Sequence, residues 1–272
     1  MIELKNIGIT FNAGTPDEHQ ALKNINLTIN KGEFITVIGS NGAGKSTLYN
    51  IIAGTLAPTT GKILLTSTDK NGNLTIKDIT KDPEYKRASF ISRIFQNPLL
   101  GTAGKMSLAD NMTICSKKGW KGLRISQNKK QREEFKEKLK QLNMGLENRL
   151  NDNVEKLSGG QRQALTLLMA VLSEPDLLLL DEHTAALDPT NASLIMELTK
   201  KFCEEQNLTV MMITHNMQHA IQYGNRLLMM DDGEIILDIS KEEKAKLTLD
   251  DLADRFKKIK KQSMTNDQMV LQ

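Results

Sequence analysis

One octapeptide, Gly39-Ser-Asn-Gly-Ala-Gly44-Lys45-Ser46, constrains this chain more than any other stretch. It fits the pattern G-x-x-x-x-G-K-[ST], and its surroundings matter as much as its letters. The β-branched run Phe34-Ile-Thr-Val-Ile38 precedes it and reads as a strand; Lys45 to Ala53 follows and reads as a helix closed by Gly54. Glycines let the backbone curl until its N–H groups face inward. The helix N-terminus adds roughly half a positive charge at the same place. A loop built this way suits a phosphate chain, with the amides of Gly39, Ser40, Asn41, Gly42, Ala43 and Gly44 lining it. Lys45 is then set to neutralise β- and γ-phosphates, a catalytic as well as a binding role. Ser46 is set to ligate Mg²⁺, and the Thr47 hydroxyl to reach the α-phosphate.

A second motif supplies the matching acids. Leu177-Leu-Leu-Leu180-Asp181-Glu182 is an apolar strand that ends in two carboxylates. A buried strand of an open α/β sheet delivers such residues to its carboxyl edge, where ligands bind. Asp181 can hold the Mg²⁺ that Ser46 touches. Glu182, expected on the other side of the pleat, is the candidate general base for an attacking water.

Alternation along the chain extends the picture. Helical patterns at Ser158–Leu172 and Asn191–Glu205 flank strand patterns at Asp176–Leu180 and Leu208–Ile213, which argues for a mainly parallel sheet covered on both faces. Strand-like pieces at Ile2–Thr10, Asn24–Ile29, Lys62–Leu65 and Leu74–Ile76, the last two joined by the turn-rich Asp69–Gly72, predict antiparallel β structure beside that core. Between them, residues 97–157 read as an inserted α-helical subdomain. There Ser107-Leu-Ala-Asp110 has the form of a capping box, and the charged stretch 127–144 carries Phe135, Leu139 and Leu142 at helical spacing. Its charge reads as a solvated helix face rather than a nucleic-acid patch. The expected organisation is one α/β domain over 1–245 and a polar tail over 246–272.

Composition narrows the function classes. A formal charge of +3 over 272 residues does not argue for nucleic acid. No run approaches the ~18 apolar residues that cross a bilayer, and the N-terminus lacks the pattern of a signal peptide. Work at a membrane would therefore need a partner to hold the chain there. Cys115 and Cys203 form no metal-binding spacing and read as buried small residues in a reducing compartment. His19 and His219 belong to no motif and read as surface residues.

Between the glycine loop and the acidic strand lies Leu157-Ser158-Gly159-Gly160-Gln161, followed by a helix. With it stand Gln96 in Phe-Gln-Asn-Pro, Ala185-Ala-Leu187-Asp188, His215 in Ile-Thr-His-Asn, and Phe11 near the start. In this order the chain, from about residue 2 to 240, resembles the ABC-type ATPases, whose signature is LSGGQ. The resemblance implies a P-loop NTPase core that binds ATP and Mg²⁺. It implies a head-to-tail homodimer in which each ATP lies between the glycine loop of one subunit and Ser158, Gly159, Gly160 and Gln161 of the other. Phe11 would stack on adenine. Gln96 would ligate Mg²⁺ or water and sense a membrane subunit, and His215 would contact the γ-phosphate and steady Glu182. The implied partners are separate membrane permease subunits and, through them, an extracellular solute-binding protein. That places the chain at the cytoplasmic face of the cell membrane, in an importer.

Rivals remain open at this point. An ATPase of a scaffold or assembly complex, such as the iron–sulfur type, shares size and motifs. Chromosome-type relatives need long heptad coiled coils that are missing between Lys45 and Leu157. His183 stands where the family usually has Pro. A tolerated neutral substitution is the expectation, against an ionisable ring that tunes pH dependence. Asp-Glu-His-Thr sequences occur among relatives of amino-acid uptake systems.

Overall fold

The structure is a computed structural model that describes residues 1–68, 72–116 and 128–258. Residues 69–71 of the expected turn Asp69–Gly72, residue 127 of the 127–144 charged stretch and residues 259–272 of the expected tail 246–272 lie outside the described residues. In chain order the strands and helices are β1 (Ile2–Phe11), β2 (His19–Ile29), β3 (Phe34–Gly39), α1 (Lys45–Ala53), β4 (Thr60–Thr68), β5 (Leu74–Asp78), α2 (Glu84–Arg87) and β6 (Ile91–Ile94). There follow α3 (Leu108–Ser116), α4 (Lys129–Lys140), α5 (Gly159–Leu172), β7 (Leu177–Asp181), α6 (Pro189–Gln206), β8 (Val210–Ile213), α7 (Met217–Gln222), β9 (Arg226–Asp231), β10 (Glu234–Ile239) and α8 (Lys241–Lys244). The fold class is α/β, with parallel strand pairs and a separate antiparallel sheet, as the alternation of patterns implied.

The chain forms two compact units. The first comprises residues 1–52, 56–81 and 212–272. Its antiparallel sheet has the order β2-β1-β4-β5, with Ile2 facing Ile29 on one side and Leu65 on the other. In the same unit β3 runs parallel to β9, with Val37 opposite Leu228, and β9 pairs antiparallel with β10. One apolar cluster joins Ile38 of β3, Ala220, Leu227, Met229, Ile239, Leu247 and Leu252. Aromatic side chains are scarce, so aliphatic and Met residues fill this core.

Lys244 is buried beside that cluster at 5 % exposure. Its ammonium donates to Thr36 Oγ1 at 3.2 Å and to the Tyr223 carbonyl at 2.5 Å. Burial pushes its pKa down to about 8 from the ordinary 10.5. Between those values the unfolded chain binds the proton more than the native one does, so stability rises with pH there. Below the folded pKa the charged form carries its full penalty. The gain across the window is up to about 3 kcal/mol. Urea unfolding of wild type and Lys244→Met from pH 7 to 10 should show wild type gaining on the variant as pH rises; a constant difference would contradict it.

The second unit comprises residues 53–55 and 82–211. Here β6 and β7 pair in parallel, with Arg93 opposite Leu179 and Ile94 opposite Leu180. The Leu178 amide donates to Thr209 O at 2.9 Å, just ahead of β8. The capping box read at Ser107 is present: the Asp110 amide donates to Ser107 Oγ at 3.1 Å and the Ser107 amide to Asp110 Oδ2 at 3.4 Å. In α4, Phe135 and Leu139 are buried as their spacing requires, and so is Leu142 just beyond it. Cys203 is buried, its thiol pushed up to about 12, which leaves it inert. Cys115 is only partly buried, unlike the sequence expectation, because it lies in the last turn of α3 at the wall of a groove.

Candidate functional site

In the first unit, β3 feeds the glycine loop and α1 leaves it. Gly39 passes so close to β9 that a Cβ there would sit 2.1 Å from the Met230 carbonyl. At Gly44, with φ +92°, a Cβ would lie 2.7 Å from the Ala21 carbonyl. Only glycine fits either place. Lys45 is 6 % exposed, and its Nζ donates to the carbonyls of Gly39 and Ser40, both at 2.9 Å. The ammonium therefore lies across the mouth of the loop and holds its curl. Ser40 Oγ donates to Asp231 Oδ1 at 2.5 Å. Asp231 was not singled out in the sequence, although Leu227-Leu-Met-Met-Asp231 repeats the pattern of an apolar strand ending in a carboxylate. Asn41, Gly42 and Ser46 are exposed, Ala43 is buried, and Thr47 is intermediate. The first N–H groups of α1 have no acceptor within the helix.

His215 belongs to the same unit. The Thr214 amide donates to Val37 O at 3.1 Å, so the chain leaving β8 runs beside the strand that feeds the loop. His215 itself is exposed, and Asn216 caps α7 with bonds from the amides of Gln218 and His219. Phe11 is half-buried at the end of β1, opposite His19. His19 is exposed, whereas His219 is half-buried, stacked edge-on against Tyr223, and its pKa is lowered by burial.

The second unit holds the acids and the signature. Asp181 ends β7 and is buried. Glu182 does not continue the pleat: its φ is +47°, and the Ala185 amide donates back to its carbonyl at 2.9 Å. A left-handed turn rather than strand alternation aims this side chain, a conformation that costs an ordinary residue about 1–3 kcal/mol. His183 is buried, with its ring Nε2 3.1 Å from Thr199 Oγ1 on α6. Thr199 already donates to the Ile195 carbonyl, so its oxygen accepts from the imidazole. His183 pins the turn after β7 to α6. Asp188 accepts from the Asn191 side chain and, as the cap of α6, from the Asn191 backbone N–H, bonds that hold its carboxyl below the usual range.

Ser158 and Gly159 are exposed at the N-terminus of α5, and Gly160 is buried. Ser158 accepts from the Gln161 amide, and Gln161 Oε1 accepts from the Ser158 amide and from Arg149. The Gln161 side chain thus serves its own helix cap. A Cβ on Gly160 would meet Asn191 Oδ1 at 2.6 Å, so the signature packs directly on the start of α6. Gln96 is exposed two residues past β6. A groove of about 440 Å³ in this unit is lined by Tyr85, Arg93, Gly101, Ile114, Cys115 and Met169 among others.

Asp181 has a neighbour that the sequence did not announce. Arg93 of β6 pairs with it, Nη2 to Oδ2 at 2.9 Å. No periodic apolar pattern marks Ile91-Ser-Arg-Ile94 as a strand, so only the folded register reveals the contact.

The donors suit hard-cation and phosphate chemistry. Ser46, Asp181 and Gln96 offer hydroxyl, carboxylate and amide oxygens. Among the described residues no group of three or more His, Cys, Asp or Glu side chains could hold a metal by itself. Mg²⁺ of this kind keeps waters and takes further oxygens from substrate phosphates, and these donor types fit it.

A strand, an amide-lined glycine loop with its buried lysine, and a helix define a P-loop nucleotide-binding protein. The family model for ABC transporter proteins matches residues 22–185. This chain belongs to the ABC transporter family and is an ATPase of it. It is 41 % identical over 257 residues to a tyrosine transport ATP-binding protein of Clostridioides difficile (strain R20291), covering 94 % of this chain and 98 % of that one. It is 37 % identical over 240 residues to the methionine import ATP-binding protein MetN 2 of Oenococcus oeni (strain ATCC BAA-331 / PSU-1), covering 87 % of this chain and 64 % of the relative. Among solved structures it matches the ATP-binding cassette MJ0796, a dimer in a post-hydrolysis state bound to ADP and Pi. There the TM-score is 0.70 at 30 % identity, over 89 % of this chain and 99 % of that one.

Proposed function

We propose that this chain is the ATP-hydrolysing subunit of an ABC importer, working as a head-to-tail homodimer on separate membrane permease subunits at the cytoplasmic face of the cell membrane. The observation that carries the reading is the pair of helix ends. α1 opens from the lysine loop, and α5 opens from an exposed, internally capped Ser158-Gly159. Each is an anion site, and a triphosphate between two chains would be held from both sides. The dimeric cassette with ADP and Pi supports this arrangement.

In the proposed cycle Lys45 neutralises the β- and γ-phosphates, and the loop amides from Gly39 to Gly44 orient the chain of phosphates. Thr47 reaches the α-phosphate, and Phe11 stacks on the base. Ser46, Asp181 and Gln96 hold Mg²⁺, which supplies charge stabilisation when bound. Glu182 orients and deprotonates water, and His215 steadies it. Gln161 contributes by fixing the cap that aims the amides of Gly159 and Gly160.

No helix among the described residues is long and apolar enough to cross a membrane. The permease contact proposed is the groove beside α3. Its rim and surroundings expose Tyr85, Leu99, Leu100 and Ile114 at 75, 56, 67 and 51 %, and Gln96 lies a few residues away in sequence. For the solute we favour an amino acid, conveyed by an extracellular binding protein, because the tyrosine transport relative matches nearly end to end.

Affinity purification of the tagged chain from detergent-solubilised membranes should recover a multi-span protein in stoichiometric amount. Ile114→Glu should lose that partner while keeping ATP binding. A chain found wholly in the soluble fraction, with a scaffold protein attached, would contradict the transporter reading.

A further inference from the structure

Arg93 touches both a surface groove of the second unit and the proposed metal ligand. Its side chain and that of Asp181 are 12 and 13 % exposed, and the two are joined at 2.9 Å. The geometry follows from register. Arg93 faces Leu179 across the parallel pair, and Leu179 and Asp181 share a face of β7, so the guanidinium leans one pleat forward onto the carboxylate. The guanidinium carbon also lies 4.7 Å from the centroid of the Phe95 ring, over its face. Arg93 also lines the groove beside α3, and Gln96 follows it by three residues.

We propose that Arg93 is a positioning residue that sets how strongly nucleotide binding depends on the divalent cation. This rests on the reading of Asp181 as a metal ligand. In the metal-free chain the guanidinium bonds the carboxylate and fixes its orientation. A cation arriving there must share Asp181 with a fixed positive charge, which opposes it. Metal binding is thereby held back until the guanidinium yields, and its other surface faces the groove where an occupant could draw it away. A structural brace alone would not couple to the metal.

The test uses the full chain and a fluorescent ATP analogue, without turnover. Its Kd is measured in EDTA and in excess Mg²⁺, and the ratio of the two is the metal coupling. In Arg93→Met and in Arg93→Gln, which keeps a neutral donor, the ratio should rise about tenfold over wild type, the effect of removing one close positive charge. Arg93→Lys should stay near wild type. Thermal unfolding shows which variants are folded, and the Gln variant serves if Met is not. Asp181→Asn should collapse the ratio towards one. If Asp181→Asn collapses it and the neutral Arg93 variants leave it at the wild-type value, the proposal fails while the metal-ligand reading stands. If Asp181→Asn leaves the ratio unchanged, the underlying reading fails and the proposal with it.

Discussion

Replacing Glu182 with Gln lowers ATP turnover by about 10²- to 10⁴-fold, the span that general-base catalysis contributes, while MgATP still binds. The amide is nearly isosteric with the carboxylate but cannot accept the proton of an attacking water. The backbone reason for expecting a clean effect is that Glu182 sits at φ +47° after β7, a strained turn that Gln occupies at the same cost. The bond from the Ala185 amide to its carbonyl is a main-chain bond and survives the change. His183 keeps its place between this turn and α6, because its partner is Thr199. Phosphate release from MgATP is the assay, and a variant that retains more than a tenth of wild-type turnover would remove Glu182 from the role of base.

Lys45→Ala has the second large effect. The ammonium is buried and bonded to the carbonyls of Gly39 and Ser40. Its removal takes away a positive charge at the phosphates and also leaves two inward-facing carbonyls without their donor. Charge-assisted hydrogen bonds are worth about 1.5–3 kcal/mol each, so ATP affinity should fall at least about 10- to 100-fold. Titration with a fluorescent ATP analogue measures it. Thermal unfolding without nucleotide should also show a small loss, because the lysine braces the empty loop. Unchanged affinity would detach the glycine loop from phosphate binding.

Much of this molecule was legible before folding. The helix after the glycine loop runs from Lys45 to Ala53 as read, since the loop sets its start and Gly54, at φ +85°, its end. The cap at Ser158 and the buried strand ending at Asp181 were readable for the same reason: local chemistry specifies each. Glu182 marks where that logic stops. Strand alternation was carried one residue too far, past a left-handed turn that no side-chain pattern announces. Arg93 was illegible for a different reason. A four-residue strand with Ser and Arg at its centre has no apolar period, and its contact with Asp181 depends on interstrand register. Asp231 could have been found, because its strand repeats the pattern that exposed Asp181. The burial of His183 could not, since it depends on α6 bringing Thr199 alongside.

The central claim is that ATP is clamped between the lysine loop of one chain and the Ser158–Gly160 helix end of another. Its most direct test is the solution mass of Glu182→Gln with MgATP, alone and combined with Ser158→Glu, which sets a carboxylate where a γ-phosphate should sit. Sedimentation should give about twice the 30.4 kDa chain mass for Glu182→Gln and the single-chain mass for the double variant. A monomer in both cases, or a dimer in both, would contradict the clamp.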